Sequence, residues 1–175
     1  HVNRPGNYEL PLGTTLRTLV YEHGGGIPGG RAIKAVMTAG ASSWILPVDD
    51  ALLDLPLDYE SLAPLGAALG SASVIVMDET VNMAWLTHKT IDFFKHESCG
   101  KCTPCREGTY WMAHILKRIE DGVAGPEDVD LLNAVAQQLQ NKCLCALGEF
   151  STQAVVSGIA GFPADYQAKV SRGQA

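Results

Sequence analysis

The sequence predicts an α+β protein: a small mixed sheet with one helix, followed by an all-α four-helix bundle. Three observations carry this expectation. Short runs rich in Val and Ile and bounded by Gly, Ser or Asp, as strands usually are, lie before Asp78. After Asp78 the apolar positions recur at helical spacing through successive segments. The five cysteines, at 99, 102, 105, 143 and 145, all fall in that second part. The change of period divides the chain into residues 1–79 and 80–175.

The elements follow in order. "HVNRPGNYELPLG" holds a Pro-Gly turn at Pro5 and Gly6 between two short extended segments, which predicts a hairpin. "TTLRTLVYEHGGG" places Leu16, Leu19 and Val20 at helical spacing ahead of a glycine stop. "RAIKAVMTAG" and "ASVIVMD" read as strands, and Pro56 and Pro64 break the stretch between them into turns and a short helix. In "ETVNMAWLTHKTIDFFKHES", Val81, Ala84, Trp85, Ile91 and Phe94 share one helical side, so a helix ends near the first cysteine. A second stripe of Trp111, Met112, Ile115, Leu116 and Ile119 stops at Gly122 and Gly125. Pro126 suits the first turn of a third helix, with Val129, Leu132, Val135, Ala136 and Leu139 facing in. A fourth helix is expected from about residue 149 to 156, with Phe150 and Val155 inward. Each stripe alone means core packing; together they predict a bundle with cysteine-bearing loops.

Composition narrows the function. The 175 residues, 46% of them hydrophobic, supply a core for one ordinary domain or two small ones. Thirteen Lys plus Arg against 19 Asp plus Glu give a net charge of -6, which argues against a nucleic-acid surface. No apolar run approaches the ~20 residues of a membrane-spanning helix, and the amino end has no signal pattern. No direct membrane insertion is expected, and any membrane association comes through partners. Cysteines confined to one region fit a reduced, cytoplasmic setting and a metal or cluster site better than a secreted disulfide scaffold.

The cysteines of "HESCGKCTPCREGTYW" stand at C-x2-C-x2-C spacing. Three thiolates so placed can take three iron corners of a cubane, leaving the fourth to a remote ligand. Such a cluster is anionic, so helix N-H groups after Cys105, together with Lys101 and Arg106, would favour it. Zinc fits less well, because its common signature is two separated C-x2-C knuckles. A thiol-disulfide exchange site needs a strand-to-helix context and no third cysteine. Buried thiols without metal are a poor reading for a polar loop containing Gly and Pro. The fourth ligand must come from "NKCLCALGEF"; Cys143 and Cys145 are two apart and point oppositely in an extended backbone, so only one reaches the cluster, and spacing does not choose between them.

These residues carry a resemblance. "HESCGKCTPCREGTYWM" followed by "CALGE" resembles the NADH-binding flavoprotein subunit of respiratory complex I, in its carboxy-terminal part, a region shared with diaphorase subunits of NAD-linked hydrogenases and formate dehydrogenases. "HVNRPGNYELPLG", "HGGGIPGG" and "SVIVMDE" extend it upstream, where they look like that family's ubiquitin-like, soluble-ligand-binding β-grasp (SLBB) domain. The resemblance implies that 1–79 is this β-grasp domain and 80–175 the cluster-binding bundle. It assigns Cys99, Cys102, Cys105 and Cys145 to one 4Fe-4S cluster, because the family's last cysteine precedes a small residue and then Leu-Gly-acidic, matching Ala146, Leu147, Gly148 and Glu149. Cys143 is then the odd one out. Glu149 stands where the family usually has Asp, and a Pro common in the following helix is absent from "STQAVVSG".

The resemblance further implies a part of an NADH:quinone oxidoreductase. FMN and NADH would be bound by a flavin domain lying before His1, and single electrons would pass through this cluster to the other iron-sulfur subunits of the complex, one smaller and one larger. The setting would be the cytoplasmic peripheral arm of a membrane-bound complex, and the present segment alone would hold no catalytic residue. Two other readings compete: a diaphorase subunit of a hydrogenase or formate dehydrogenase, and a non-redox scaffold with a structural metal. Gly24, Gly26 and Gly29 formally fit a dinucleotide fingerprint, but they follow a helix and include Pro28, so they read as a glycine-rich helix stop. His96 and Glu97 read as a solvated helix end, and Trp111 as core.

Overall fold

The computed structural model describes residues 1–170. The chain divides into two compact units, His1–Val81 and a second beginning at Asn82.

The first unit is built on an antiparallel sheet of order β2-β1-β3. Strand β1 (Ile33–Ala41) lies in the middle, with β2 (Leu46–Pro47) on one side and β3 (Ile75–Asp78) on the other. Val36 sits opposite both Leu46 and Val76, which fixes the register on both edges. The centre of β1, residues 35–39, is buried throughout, as a strand covered on both faces requires. Two single-turn helices, α1 (Asp50–Leu53) and α2 (Tyr59–Leu62), start at aspartates whose carboxylates accept the Leu52 and Ser61 N-H groups at 2.8 and 2.7 Å. They bury Leu52, Leu53 and Leu62 against Leu16, Val20 and Val36.

Two expectations for this unit are corrected. Residues 1–13 form no hairpin. Pro5 and Pro11 lack N-H groups, and the segment instead hands Asn3 and Arg4 N-H to the Gly26 and Gly24 carbonyls at 2.9 and 2.8 Å. The expected helix is a turn that widens into π geometry over Thr18–His23, closed by Gly24 N-H on Leu19 O at 2.8 Å. A Cβ on Gly24 would stand 2.6 Å from Val20 O, so the backbone there admits only glycine. The glycine run is thus a helix stop and loop before β1, as its sequence context predicts. The two-residue β2 leaves no pattern in the sequence because Pro47 ends it at once.

Asp78 closes β3 with a fully buried carboxylate. Thr80 donates to its Oδ1 through both hydroxyl and N-H, Arg31 Nε lies 2.8 Å from Oδ2, and His1 Nδ1 stands 3.1 Å from Oδ1. The Thr80 hydroxyl, helped by Thr80 N-H and Arg31, holds this carboxyl below the usual range against the opposing effect of burial. A depressed carboxyl contributes stability that is present above the unfolded value of ~3.9 and lost as pH falls through the lower folded value. Acid unfolding followed by circular dichroism is therefore expected to show Asp78→Asn less stable than wild type at neutral pH, the gap closing as pH drops through that window.

The second unit packs four long helices into a ring. These are α3 (Met83–Glu97), α4 (Thr103–Glu120), α5 (Pro126–Leu139) and α6 (Ala146–Gly161), followed by the short α7 (Pro163–Gln167). Helices α3 and α5 each lie against α4 and α6. Ile91, Phe94, Met112, Leu116, Leu132 and Val155 are in the core. Asn82 caps α3 through Trp85 N-H at 3.0 Å, and Tyr166 of α7 is buried with its hydroxyl 2.7 Å from Thr87 Oγ1. Gly108 lets α4 approach α5, since a Cβ there would meet Leu139 Cδ1 at 2.3 Å.

Trp85, Trp111 and Phe150, expected inward, are exposed. On α6 the buried face is Gly148, Ser151, Thr152, Val155 and Gly158, small residues that allow close helix packing and leave no room for Phe150. The same helix begins three residues before the expected start and runs to Gly161, because Cys145 forms its N-cap and Gly158 serves packing, not termination. A Cβ on Gly158 would meet the Tyr166 hydroxyl at 2.3 Å. Among the described residues no helix is long and apolar enough to cross a membrane.

Candidate functional site

Two loops carry four of the cysteines and the first turn of α4 carries Cys105, and the helix ring brings them together at one end. The first runs from Ser98, which leaves α3 in extended conformation, to Cys102, the N-cap of α4. Gly100 turns it with a left-handed φ of 73°, and Arg106 Nη1 donates to Gly100 O at 2.8 Å. Arg106 also pairs with Glu107 at 2.8 Å, so its guanidinium fastens the turn instead of reaching a cysteine sulfur. The second loop leaves α5 at Gln140, passes Asn141 at φ 58°, and enters α6 at Cys145. Asn141 N-H donates to Glu149 Oε1 at 2.9 Å, so the acidic residue after Gly148 holds the turn that precedes its own helix.

Helices α4 and α6 share an unusual start. Each has a cysteine as N-cap, and neither has a side chain capping its first N-H groups. Those donors and the positive helix ends are available to anionic sulfur. Cys102 is held below its ordinary value first by Leu144 N-H of the second loop, then by Cys105 N-H in the first turn of α4, and more weakly by the Cys143 thiol. Cys105 is buried, and burial pushes it up, against the Ser98 hydroxyl that lies 3.3 Å from its sulfur. Cys105 also lies within electrostatic reach of Cys102, Cys145 and Cys99, so the four expected ligand positions surround one region. Cys99 and Cys145 are exposed, and Cys102 is half-buried.

Cys143 is placed differently. Its half-buried thiol donates to Leu139 O at 3.4 Å, and a Cβ on Gly148 would meet its sulfur at 2.3 Å and Cys105 Cβ at 3.2 Å. Burial, followed by Cys102 and Cys105, pushes the thiol up to about 11. Glycine at 148 is thus what lets the α6 backbone close over the cysteine loops.

The donor set fits an iron-sulfur cubane. Among the described residues no three His, Cys, Asp or Glu side chains converge on one point to hold a single ion. A cubane asks for something else, because each of its four cysteines binds a different iron. Of the other residues singled out in the sequence, His96 is exposed at the end of α3 with Glu97 4.0 Å away, a solvated helix end. Trp111 lines a cavity of about 170 Å³ with Pro104, Gly108, Val135 and Leu139. Sequence reasoning missed Ser98, and it read Gly148 as part of the family pattern without a packing role. No spacing rule marks Ser98; only its adjacency to Cys99 could have drawn attention to it.

Comparison with known proteins agrees with this architecture. Residues 85–169 match the family model of the NADH-ubiquinone oxidoreductase-F iron-sulfur binding region, and residues 1–43 match the SLBB domain. The chain therefore joins two domain classes, an SLBB domain and a cluster-binding helical region. Region by region, it is similar to the F subunits of NADH-quinone oxidoreductase. The F subunit of Mycobacterium tuberculosis is 42% identical over 173 residues, covering 99% of this chain and 38% of that protein. The F 2 subunit of Rhizobium meliloti is 41% identical over 169 residues, covering 97% and 40%. The crystal structure of an NAD+-reducing NiFe hydrogenase in the H2-reduced state superposes with a TM-score of 0.86 at 29% identity, over 99% of this chain and 28% of the other. The chain thus spans about two-fifths of the length of the curated relatives it matches.

Proposed function

We propose that Cys99, Cys102, Cys105 and Cys145 hold one 4Fe-4S cluster and that the chain relays electrons within an NADH:quinone oxidoreductase. The observation that carries this reading is the meeting of two cysteine loops at the uncapped starts of α4 and α6, with Cys105 in reach of the other three thiols. When bound, such a cluster accepts and passes on one electron at a time. The residues supply the rest. The thiolates anchor four irons, helix N-H groups offset the negative charge, and burial of Cys105 keeps water from one side of the site. In this reading 1–79 is the SLBB domain and 80–175 the cluster domain. FMN and NADH belong to the longer parent protein, the electrons leave for the smaller and larger iron-sulfur subunits of the complex, and the assembly lies in the cytoplasmic peripheral arm.

A second parent is favoured by a specific observation, the close superposition on an NAD+-reducing hydrogenase. A diaphorase subunit would use the same cysteines for the same relay, with a different final acceptor or donor. Both forms of the reading share one test. Chain reconstituted or purified without oxygen is expected to contain about four irons, to absorb broadly near roughly 400 nm and to bleach on reduction. Zinc in place of iron, or a metal that is silent in redox titration, would instead support a structural metal in a scaffold.

A further inference from the structure

Ser98 is the residue between α3 and the first cysteine. Its Oγ lies 3.3 Å from Cys105 Sγ and 3.4 Å from Gly100 N. The left-handed turn at Gly100 aims that N-H back at the hydroxyl, and the Arg106 bond to Gly100 O holds the turn in place. Cys105 is itself well fixed: it is 6% exposed, and Thr109 Oγ1 donates to its carbonyl at 2.8 Å.

The direction of the Ser98–Cys105 bond follows from proton counting. A hydroxyl carries one proton and two lone pairs, whereas a thiolate that binds iron carries no proton. Gly100 N-H occupies a lone pair of Ser98 Oγ, and the hydroxyl proton is left for sulfur. Ser98 therefore donates and Cys105 accepts whenever the four cysteines hold a cluster. The neighbouring Arg106 does not take this role, since it is committed to Gly100 O and Glu107.

We propose that Ser98 is a positioning residue that raises the reduction potential of the cluster by donating its hydroxyl hydrogen bond to the Cys105 sulfur. The inference rests on the cluster reading above. One-electron reduction adds negative charge that the thiolate sulfurs share, and a donor fixed on one sulfur stabilises the reduced form more than the oxidised form. The effect is larger where water cannot compete, and Cys105 is the only one of the four proposed ligands that is buried.

The test is a redox titration followed by electron paramagnetic resonance, with iron counted in the same samples. The full chain, reconstituted without oxygen, is compared with Ser98→Ala, Ser98→Val and Ser98→Thr. Wild-type iron content is expected in all three. The reduction equilibrium should shift on the order of tenfold toward the oxidised form, ~59 mV for one electron, in the Ala and Val variants. Ser98→Thr, which keeps the hydroxyl, should titrate like wild type. An unchanged potential in Ser98→Ala with its iron intact overturns the proposal. So does loss of iron from Ala and Val but not Thr, which makes Ser98 an assembly residue only. Wild type that takes up no iron defeats the underlying cluster reading instead, a result distinct from both.

Discussion

Cys145→Ala is expected to lose the intact cubane, its iron falling well below the about four per chain of wild type, while Cys143→Ala keeps its iron and its broad visible absorption. Each cysteine of a cubane serves a separate iron, so removing one ligand opens a corner that the other three cannot close. The two residues sit in different settings. Cys145 is exposed at the N-cap of α6, beside uncapped N-H groups and within reach of Cys105. The half-buried Cys143 sulfur is within reach of Cys102 and Cys105 too, but it lies against Leu139 O at 3.4 Å and is crowded by Gly148. Iron analysis with the absorption spectrum checks both variants in one experiment. The reverse pattern, iron lost with Cys143 and kept without Cys145, would transfer the fourth ligand to Cys143.

Gly148→Ala is expected to destabilise the second unit by about 1–3 kcal/mol, the usual cost of adding a carbon to a filled core. The added Cβ would stand 2.3 Å from Cys143 Sγ, 2.9 Å from Cys143 Cβ and 3.2 Å from Cys105 Cβ. One cysteine wall must shift, and Cys105 is a proposed ligand, so iron uptake should fall along with the denaturation midpoint. Combining Gly148→Ala with Cys143→Ala removes the closest atom. The double variant should recover part of the stability, because residues in contact couple by about 0.5–3 kcal/mol. Additive losses in a denaturant cycle would show that the crowding lies elsewhere.

Much of the site is legible in the chain itself. The spacing of Cys99, Cys102 and Cys105 points to an iron-sulfur loop, and the helical stripes place it between two helices, as α3 and α4 do. The stripes are less secure about which side faces in. Trp111 and Phe150 are large and apolar, yet both lie outside, because the ring of helices is held at close range by Gly108, Gly148, Ser151, Thr152 and Gly158. Hydrophobic periodicity weighs apolar area, whereas a tight helix contact selects small size, and a sequence pattern does not separate the two. The expected hairpin at residues 1–13 fails for a related reason: the backbone partners of Asn3 and Arg4 lie some twenty residues away in the Gly24–Gly26 loop.

What the sequence determined by itself is the chemistry available: five thiols in two short stretches, a helical frame around them, and an acidic balance that argues against a nucleic-acid face. Only the tertiary structure decided how those thiols differ. It buried Cys105 and put the Ser98 hydroxyl on its sulfur, turned Cys143 toward Leu139 O, and set Cys102 and Cys145 at the starts of two helices. The physical reason is that a thiol's role depends on the donors, charges and burial around it, and these come from residues up to forty or more positions away that meet only when the four helices pack.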